Sequence, residues 1–250
     1  MLKLGTLELG GIPRIAVVYS DSATPELIAE SRRRGVDIAE VRIDHFARTD
    51  PSYVRSVLAR FAPLPTIATI RIRQEGGSWA GSEEERLDLF SSVIPLVDAV
   101  DVELQATTIL SRVCERARGE NKCVVISYHD FVATPDPHTL EQIAEDAAKA
   151  GADIVKIATH ARSDEDIQSL ASLCINSTGR NLIVIALGDH GSKSRLFFPA
   201  LGSLVTFASM GKSTAPGQLE YDRTFELMRL FYPEFNERKT AGLDPRARDR

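Results

Sequence analysis

Two short segments carry residues whose types could do chemistry together. Ile154-Val155-Lys156-Ile157-Ala158 is a β-branched run with a lysine in its middle, and Cys123-Val124-Val125-Ile126-Ser127 leads into Tyr128-His129-Asp130-Phe131. A continuous apolar run of this kind reads as a strand buried on both faces, so its lysine needs a reason. Lys156 could snorkel to water or pair with a carboxylate and serve stability alone. Desolvated beside cationic neighbours, it would instead be depressed in pKa, and the neutral amine could attack a ketone. The protonated Schiff base so formed withdraws electrons from the adjacent carbon. His129, titrating near neutrality, could take a proton from that carbon and return one to a departing β-hydroxyl.

These residues need a scaffold, and the chain has a regular one. Strands are predicted near residues 14–19, 37–43, 66–71, 99–104, 123–127, 154–158, 181–187 and 203–208, with a helix after each. Thr24-Pro25, Asp50-Pro51 and the capping box Ser82-x-x-Glu85 mark three helix starts. Leu140, Ile143, Ala144, Ala147 and Ala148 form one core-facing stripe, and Gly151 closes that helix. A short helix is expected over 193–199 and a last one over 219–231. Eight alternations point to an α/β fold, the (β/α)₈ TIM barrel, as a single domain over residues 1–236. Residues 1–12 alternate around a glycine and should form a short N-terminal β-hairpin closing the bottom. Residues 237–250 read as a disordered polar tail. An open doubly wound sheet is the alternative, but neither GxGxxG nor GxxxxGK[ST] occurs.

A barrel of this kind gathers the C-terminal ends of its strands at one mouth. Glu40, Arg42, Arg71, Glu75, Glu103, His129, Lys156, Arg195, Thr214 and Gln218 would meet there. Arginines from separate strands suit a small acid, because guanidinium forks bind carboxylate or phosphate in pairs of bonds. His45 and His138 fall in loop or helix-start settings that suit exposed capping, whereas His160 and His190 fall in mouth loops.

Composition removes other classes. The chain of 250 residues has a net charge of -5, 43% hydrophobic and 26% charged residues, with no basic stripe, so nucleic acid is not an expected partner. Cys114, Cys123 and Cys174 have no CxxC spacing and read as reduced thiols of a cytoplasmic protein. No apolar stretch approaches the ~20 residues of a membrane span, and residues 1–11 have no signal-peptide pattern. Neither HExxH nor GxSxG is present, so metal and serine-hydrolase chemistry lack a motif.

Taken together, Glu40-Val41-Arg42-Ile43-Asp44-His45-Phe46, Thr69-Ile70-Arg71 with Glu75-Gly76-Gly77, Ser127-Tyr128-His129-Asp130-Phe131, Gly151 to Ala158, Ser194-Arg195 and Ala215-Pro216-Gly217-Gln218 resemble the type I 3-dehydroquinate dehydratase family, in register from about Pro13 to Phe231. The resemblance implies a (β/α)₈ barrel, a homodimer, no cofactor and no metal. It implies that Lys156 forms an imine with the substrate ketone, that His129 moves the protons, and that Glu75 assists the histidine. Glu40, Arg42 and Arg71 would contact substrate oxygens, Arg195 would pair with the carboxylate, and Thr214 and Gln218 would belong to a closing loop. Thr214, Val18, residues 159–161 and residues 187–191 depart from the commonest family pattern. An aldolase-like lyase using the same amine, and a barrel that binds without catalysis, are the other functions the mouth would suit.

Overall fold

The computed structural model describes residues 2–177, 179–211 and 215–241. Its centre is an eight-stranded parallel sheet: β3 (Arg14–Tyr19), β4 (Ile38–Arg42), β5 (Thr66–Thr69), β6 (Ala99–Glu103), β7 (Cys123–Asp130), β8 (Ile154–His160), β9 (Leu182–Leu187) and β10 (Val205–Ala208). From β3 to β9 each strand pairs with its neighbour in sequence, and β10 returns to pair with β3. Between β9 and β10 the sheet is held by the parallel bridge Leu182↔Ser203, with the Leu204 N–H donating to the Leu182 carbonyl at 2.8 Å. The result is the nearly closed barrel expected from the eight repeats.

Helices wrap the outside where the sequence signals put them. Thr24 and Asp50 cap α1 (Pro25–Arg33) and α2 (Pro51–Leu58), and the Ser82–Glu85 box opens α3 (Glu83–Val93). The rest of the layer is α4 (Leu110–Gly119), α5 (Pro137–Lys149), α6 (Asp164–Asn176), the single turn α7 (Ser194–Phe197) and α8 (Tyr221–Phe231). The predicted helix over 193–199 is thus only one α-turn, flanked by 3₁₀ turns.

Alternation along each strand sorts side chains between two cores. Val100, Val102, Val124, Ile126, Val155 and Ile157 pack outward under the helices. Ile38, Ile67, Ala99, Cys123, Val125, Ile154 and Ile183 fill the barrel, and Leu4 and Leu9 join them from the N-terminal end. Those two leucines flank the hairpin of β1 (Lys3–Leu4) and β2 (Leu7–Glu8), which stoppers the barrel as expected.

Two expectations need correction. Strands β7 and β8 run on to Asp130 and His160, past the expected ends at 127 and 158, so His160, expected in a mouth loop, ends a strand instead. Residues 237–241, expected in a disordered tail, continue the helix α9 (Pro233–Ala241). Its Phe235 is fully buried, and Lys239 donates to the Gly35 carbonyl at 2.6 Å and to Asp37 at 2.7 Å. One apolar anchor and one cation that finds buried acceptors outweigh the polar composition of the segment. The remainder of that expected tail, residues 242–250, lies outside the described residues.

Candidate active site

Strand registry places the polar residues in layers above the apolar plug. Thr69 is level with Asp101, Glu103 with Ser127, and Ser127 with Lys156, and the period of two carries Arg42, Arg71 and His129 upward on the same interior face. Of these, Arg42, Arg71, His129 and Lys156 line a cavity with about 620 Å³ of open space, whose walls also include Glu40, Glu75, Arg195 and Gln218. The opposite wall is apolar, formed by Val18, Ala158, Ile185, Leu187, Phe207 and Ala215. Of the sequence-predicted site residues, Thr214 lies outside the described residues; all the others named for catalysis or binding meet here.

Lys156 is buried, yet its nitrogen faces the cavity. Nζ donates to Glu40 Oε1 at 3.0 Å and Asp101 Oδ2 at 2.9 Å, and it lies 4.7 Å from the centre of the Phe207 ring. Its nearest charged neighbours are carboxylates, where cationic neighbours were expected to free the amine. The correction follows from β6: alternation aims Asp101, not only Glu103, into the barrel. Glu40 is braced in turn by the Thr69 hydroxyl at 2.9 Å.

Asp101 was absent from the sequence-predicted set, although Ala99-Val100-Asp101-Val102-Glu103 shows the same anomaly as the lysine strand, a charge in the middle of a buried run. It accepts from Lys156, from Arg71 Nη2 at 2.7 Å and from Ser127 Oγ at 2.6 Å. Burial would raise its pKa, but Arg71 and Lys156 prevail and hold the carboxyl well below its usual range. Arg71 also donates to Glu103 at 2.9 Å and Ser127 at 2.7 Å. Desolvation works against its charge, and the surrounding carboxylates more than compensate, raising its pKa.

His129 and Glu75 form the second unit. Glu75 Oε2 accepts the His129 main-chain N–H at 2.9 Å and lies 2.9 Å from Nδ1 of the same residue. With the proton on Nδ1, the ring lone pair is on Nε2, the form a general base needs. Phe131 stacks beside the ring, centroids 6.4 Å apart. Glu75 is delivered by a 3₁₀ turn, Arg73–Glu75, that Gly76 closes at φ +75°, while at Gly77 any Cβ would stand 2.0 Å from the Arg71 carbonyl. The glycine pair therefore lets the loop lie flat against the Arg71 backbone.

Burial, assisted by Glu103, raises Glu75 to about 8, against the pull of Arg71. Burial and the cations Arg71 and Lys156 push His129 well below the ordinary imidazole value. Both groups are thereby biased toward their neutral forms. Because the folded chain keeps the Glu75 proton to higher pH than the unfolded chain, this group's contribution to stability is complete below about 4.5 and disappears as pH rises through about 8. The melting temperature of Glu75→Gln should therefore fall less than that of the wild type between those two pH values, in paired thermal melts.

The arginines divide by role. Arg42 is held by Asp44 at 2.9 and 2.7 Å and touches His45 Nε2 at 3.0 Å, so His45 supports an arginine and is not simply an exposed cap. Arg195, 4% exposed, has no carboxylate partner among the described residues; its Nη2 donates to the Pro216 carbonyl at 3.5 Å, and its Nε has no partner among them. Desolvation brings it down to about 10, still cationic at neutral pH. A buried cation facing a cavity without a counter-charge is a built site for an anion. The mouth histidines stay outside: His160 ends β8 beside Gly188, and His190 is exposed on a 3₁₀ turn.

Residues 15–233 match the family model for type I 3-dehydroquinase. The chain belongs to the type I 3-dehydroquinase family. Members are carbon–oxygen lyases of the hydro-lyase group. The 3-dehydroquinate dehydratase of Methanococcoides burtonii is 34% identical over 92% of this chain and 99% of its own length. The crystal structure of the Aquifex aeolicus 3-dehydroquinate dehydratase superposes with a TM-score of 0.81 at 34% identity, covering 88% of this chain and 99% of that one. That of Geobacillus kaustophilus gives 0.86 at 27% identity, covering 92% and 97%. The type I enzyme of Clostridium difficile, solved with covalent modified comenic acid, gives 0.84 at 25% identity, covering 93% and 98%. No helix among the described residues is long and apolar enough to cross a membrane, and none of their His, Cys, Asp and Glu residues cluster as a metal site.

Proposed function

We propose that this type I dehydroquinase dehydrates 3-dehydroquinate to 3-dehydroshikimate through a Schiff base on Lys156. The observation that carries the reading is a lysine nitrogen at the cavity wall, held by two carboxylates, in the same cavity as a Glu75-paired histidine and an Arg195 without a carboxylate partner among the described residues. The covalent ligand named for the Clostridium difficile relative is consistent with a reactive group in this family's site.

In this mechanism a proton leaves the ammonium for Glu40, 3.0 Å away, and the nitrogen attacks the C3 ketone. The attacking nitrogen passes one proton to the carbinolamine oxygen and the carboxylic acid so formed returns the second, so that the oxygen departs as water and leaves the protonated imine. His129 takes a C2 proton on Nε2; the electron pair moves into the imine to give an enamine. The enamine then expels the C1 hydroxyl, which receives its proton from His129 and leaves as water in a syn elimination. Hydrolysis of the conjugated iminium frees 3-dehydroshikimate and the amine. Glu75 keeps the His129 proton on Nδ1, Glu40, Arg42 and Arg71 contact ring oxygens, and Arg195 takes the carboxylate. Thr214 and Gln218 belong to the loop that covers the ligand. Family resemblance further supports a cytoplasmic homodimer serving aromatic amino acid biosynthesis.

Addition of 3-dehydroquinate should raise the ultraviolet absorbance of a conjugated enone. Carbon–carbon cleavage products would favour the aldolase-like reading, and silence a binding barrel. Within the active enzyme, Arg195→Ala should raise KM by about 10- to 100-fold with a smaller effect on kcat, since a bond to a charged group is worth about 1.5–3 kcal/mol and the carboxylate stands apart from the reacting carbons. Steady-state kinetics measures that division.

A further inference from the structure

Arg86 is fully buried although it belongs to α3, outside the barrel wall. Its guanidinium passes between β5 and β6: Nη1 donates to the Ile70 carbonyl at 3.0 Å and to Glu103 Oε2 at 2.6 Å, and Nη2 reaches Glu83 at 2.8 Å. The other Glu103 oxygen accepts from Arg71 Nη1 at 2.9 Å and the Ile72 N–H at 3.1 Å. From there the contacts run through Arg71 Nη2 to Asp101 Oδ1, 2.7 Å, and from Asp101 Oδ2 to Lys156, 2.9 Å. The five charges alternate in sign from the helix layer to the reacting nitrogen.

We propose that Arg86 is a positioning residue for Lys156, acting through Glu103, Arg71 and Asp101. The inference rests on the reading of Lys156 as the reacting amine. Without Arg86, the fully buried Glu103 keeps only Arg71 to offset its charge, and an uncompensated buried carboxylate is costly. Arg71 is drawn toward Glu103 and away from Asp101. Asp101, stripped of its second cation, then grips the Lys156 ammonium more tightly, and the amine is slower to attack. No side chain is removed from the cavity lining, and Arg71 stays in the wall while its hold on Asp101 weakens, so substrate binding changes far less than the chemical step.

The test is the kinetics of Arg86→Met, Arg86→Lys and the double variant Arg86→Met with Glu103→Gln, each with a thermal melt. For Arg86→Met we expect kcat to fall about tenfold or more with KM within about twofold, the loss of one buried charge-assisted bond appearing at the reacting atoms. The double variant removes both charges, keeps an oxygen for Arg71, and should recover most of kcat. A packing role predicts no such recovery, so a double variant as slow as Arg86→Met overturns the proposal, as does a folded Arg86→Met with wild-type kcat. Should Arg86→Met fail to fold, Arg86→Lys, which keeps the charge but loses the fork, should show a smaller kcat loss at unchanged KM; a wild-type kcat there overturns it too. Retained turnover in Lys156→Ala would remove the amine reading and this inference with it. An inactive Lys156→Ala alongside wild-type Arg86 variants would remove this inference alone.

Discussion

Lys156→Ala is expected to abolish turnover, with kcat falling by about 10⁴-fold or more, which corresponds to about 5.5 kcal/mol of barrier. The size follows from what disappears: without Nζ there is no imine, and without the imine no electron sink for the carbon that must lose a proton. Borohydride added to wild-type protein with 3-dehydroquinate should reduce the imine and leave the adduct on Lys156, located by peptide mass. The Ala variant should leave none. Its fold should survive only in part, because Glu40 and Asp101 would lose the cation that sits 3.0 and 2.9 Å from them. Asp101 would still have Arg71, and Glu40 would still have the Thr69 hydroxyl, so the site is strained and not emptied of partners. An active enzyme in which borohydride leaves Lys156 unmodified would refute the mechanism.

The second large effect separates binding from proton transfer. His129→Ala should lower kcat by about 10²- to 10⁴-fold, the usual range for a positioned acid–base group, while imine trapping on Lys156 continues. Turnover without His129 would need another base, and among the described histidines none other lines the cavity. The wild-type pH profile carries the matching signature. Burial, Arg71 and Lys156 disfavour the imidazolium, so His129 keeps its base form to lower pH than a free imidazole. The acid limb of kcat/KM, which reports the free enzyme's essential base, should therefore fall below about 6.5 and vanish in His129→Ala. If trapping in that variant were lost as well, the histidine would be needed for imine formation, and the division of labour between the two residues would have to be redrawn.

Much of the site was readable from the chain because local rules left few choices. A lysine inside a β-branched run has to face somewhere polar, and a histidine two residues beyond a strand's apolar stretch has to emerge at its C-terminal end. Helix caps such as Thr24-Pro25 and Ser82-x-x-Glu85 act within four residues, so the boundaries they predict were observed. Asp101 is equally legible in the chain, since it is a charge in the middle of a buried run two residues before Glu103. The helix over 233–241 was not readable, because its stability comes from Phe235 packing against Phe225 and from Lys239 meeting Gly35 and Asp37, contacts no local pattern announces.

The electrostatics of the amine show most clearly where local pattern stops. Lys156, Glu40 and Asp101 come from three different strands and Arg71 from the segment just past a fourth, and each was expected at the mouth or could have been. Whether the lysine meets cations or carboxylates depends on which strands are neighbours across the barrel and at what level their side chains stand. By itself the sequence determined the repeating units, the two-residue alternation that turns charges inward, and the residue types able to form an imine and move protons. Only the tertiary structure decided that Lys156 lies between two carboxylates, that Arg195 has no carboxylate partner among the described residues, and that Arg86 reaches through the wall. The reason is physical: periodicity is set by neighbours along the chain, whereas the field at a buried nitrogen is the sum over charges brought together by closure of the barrel.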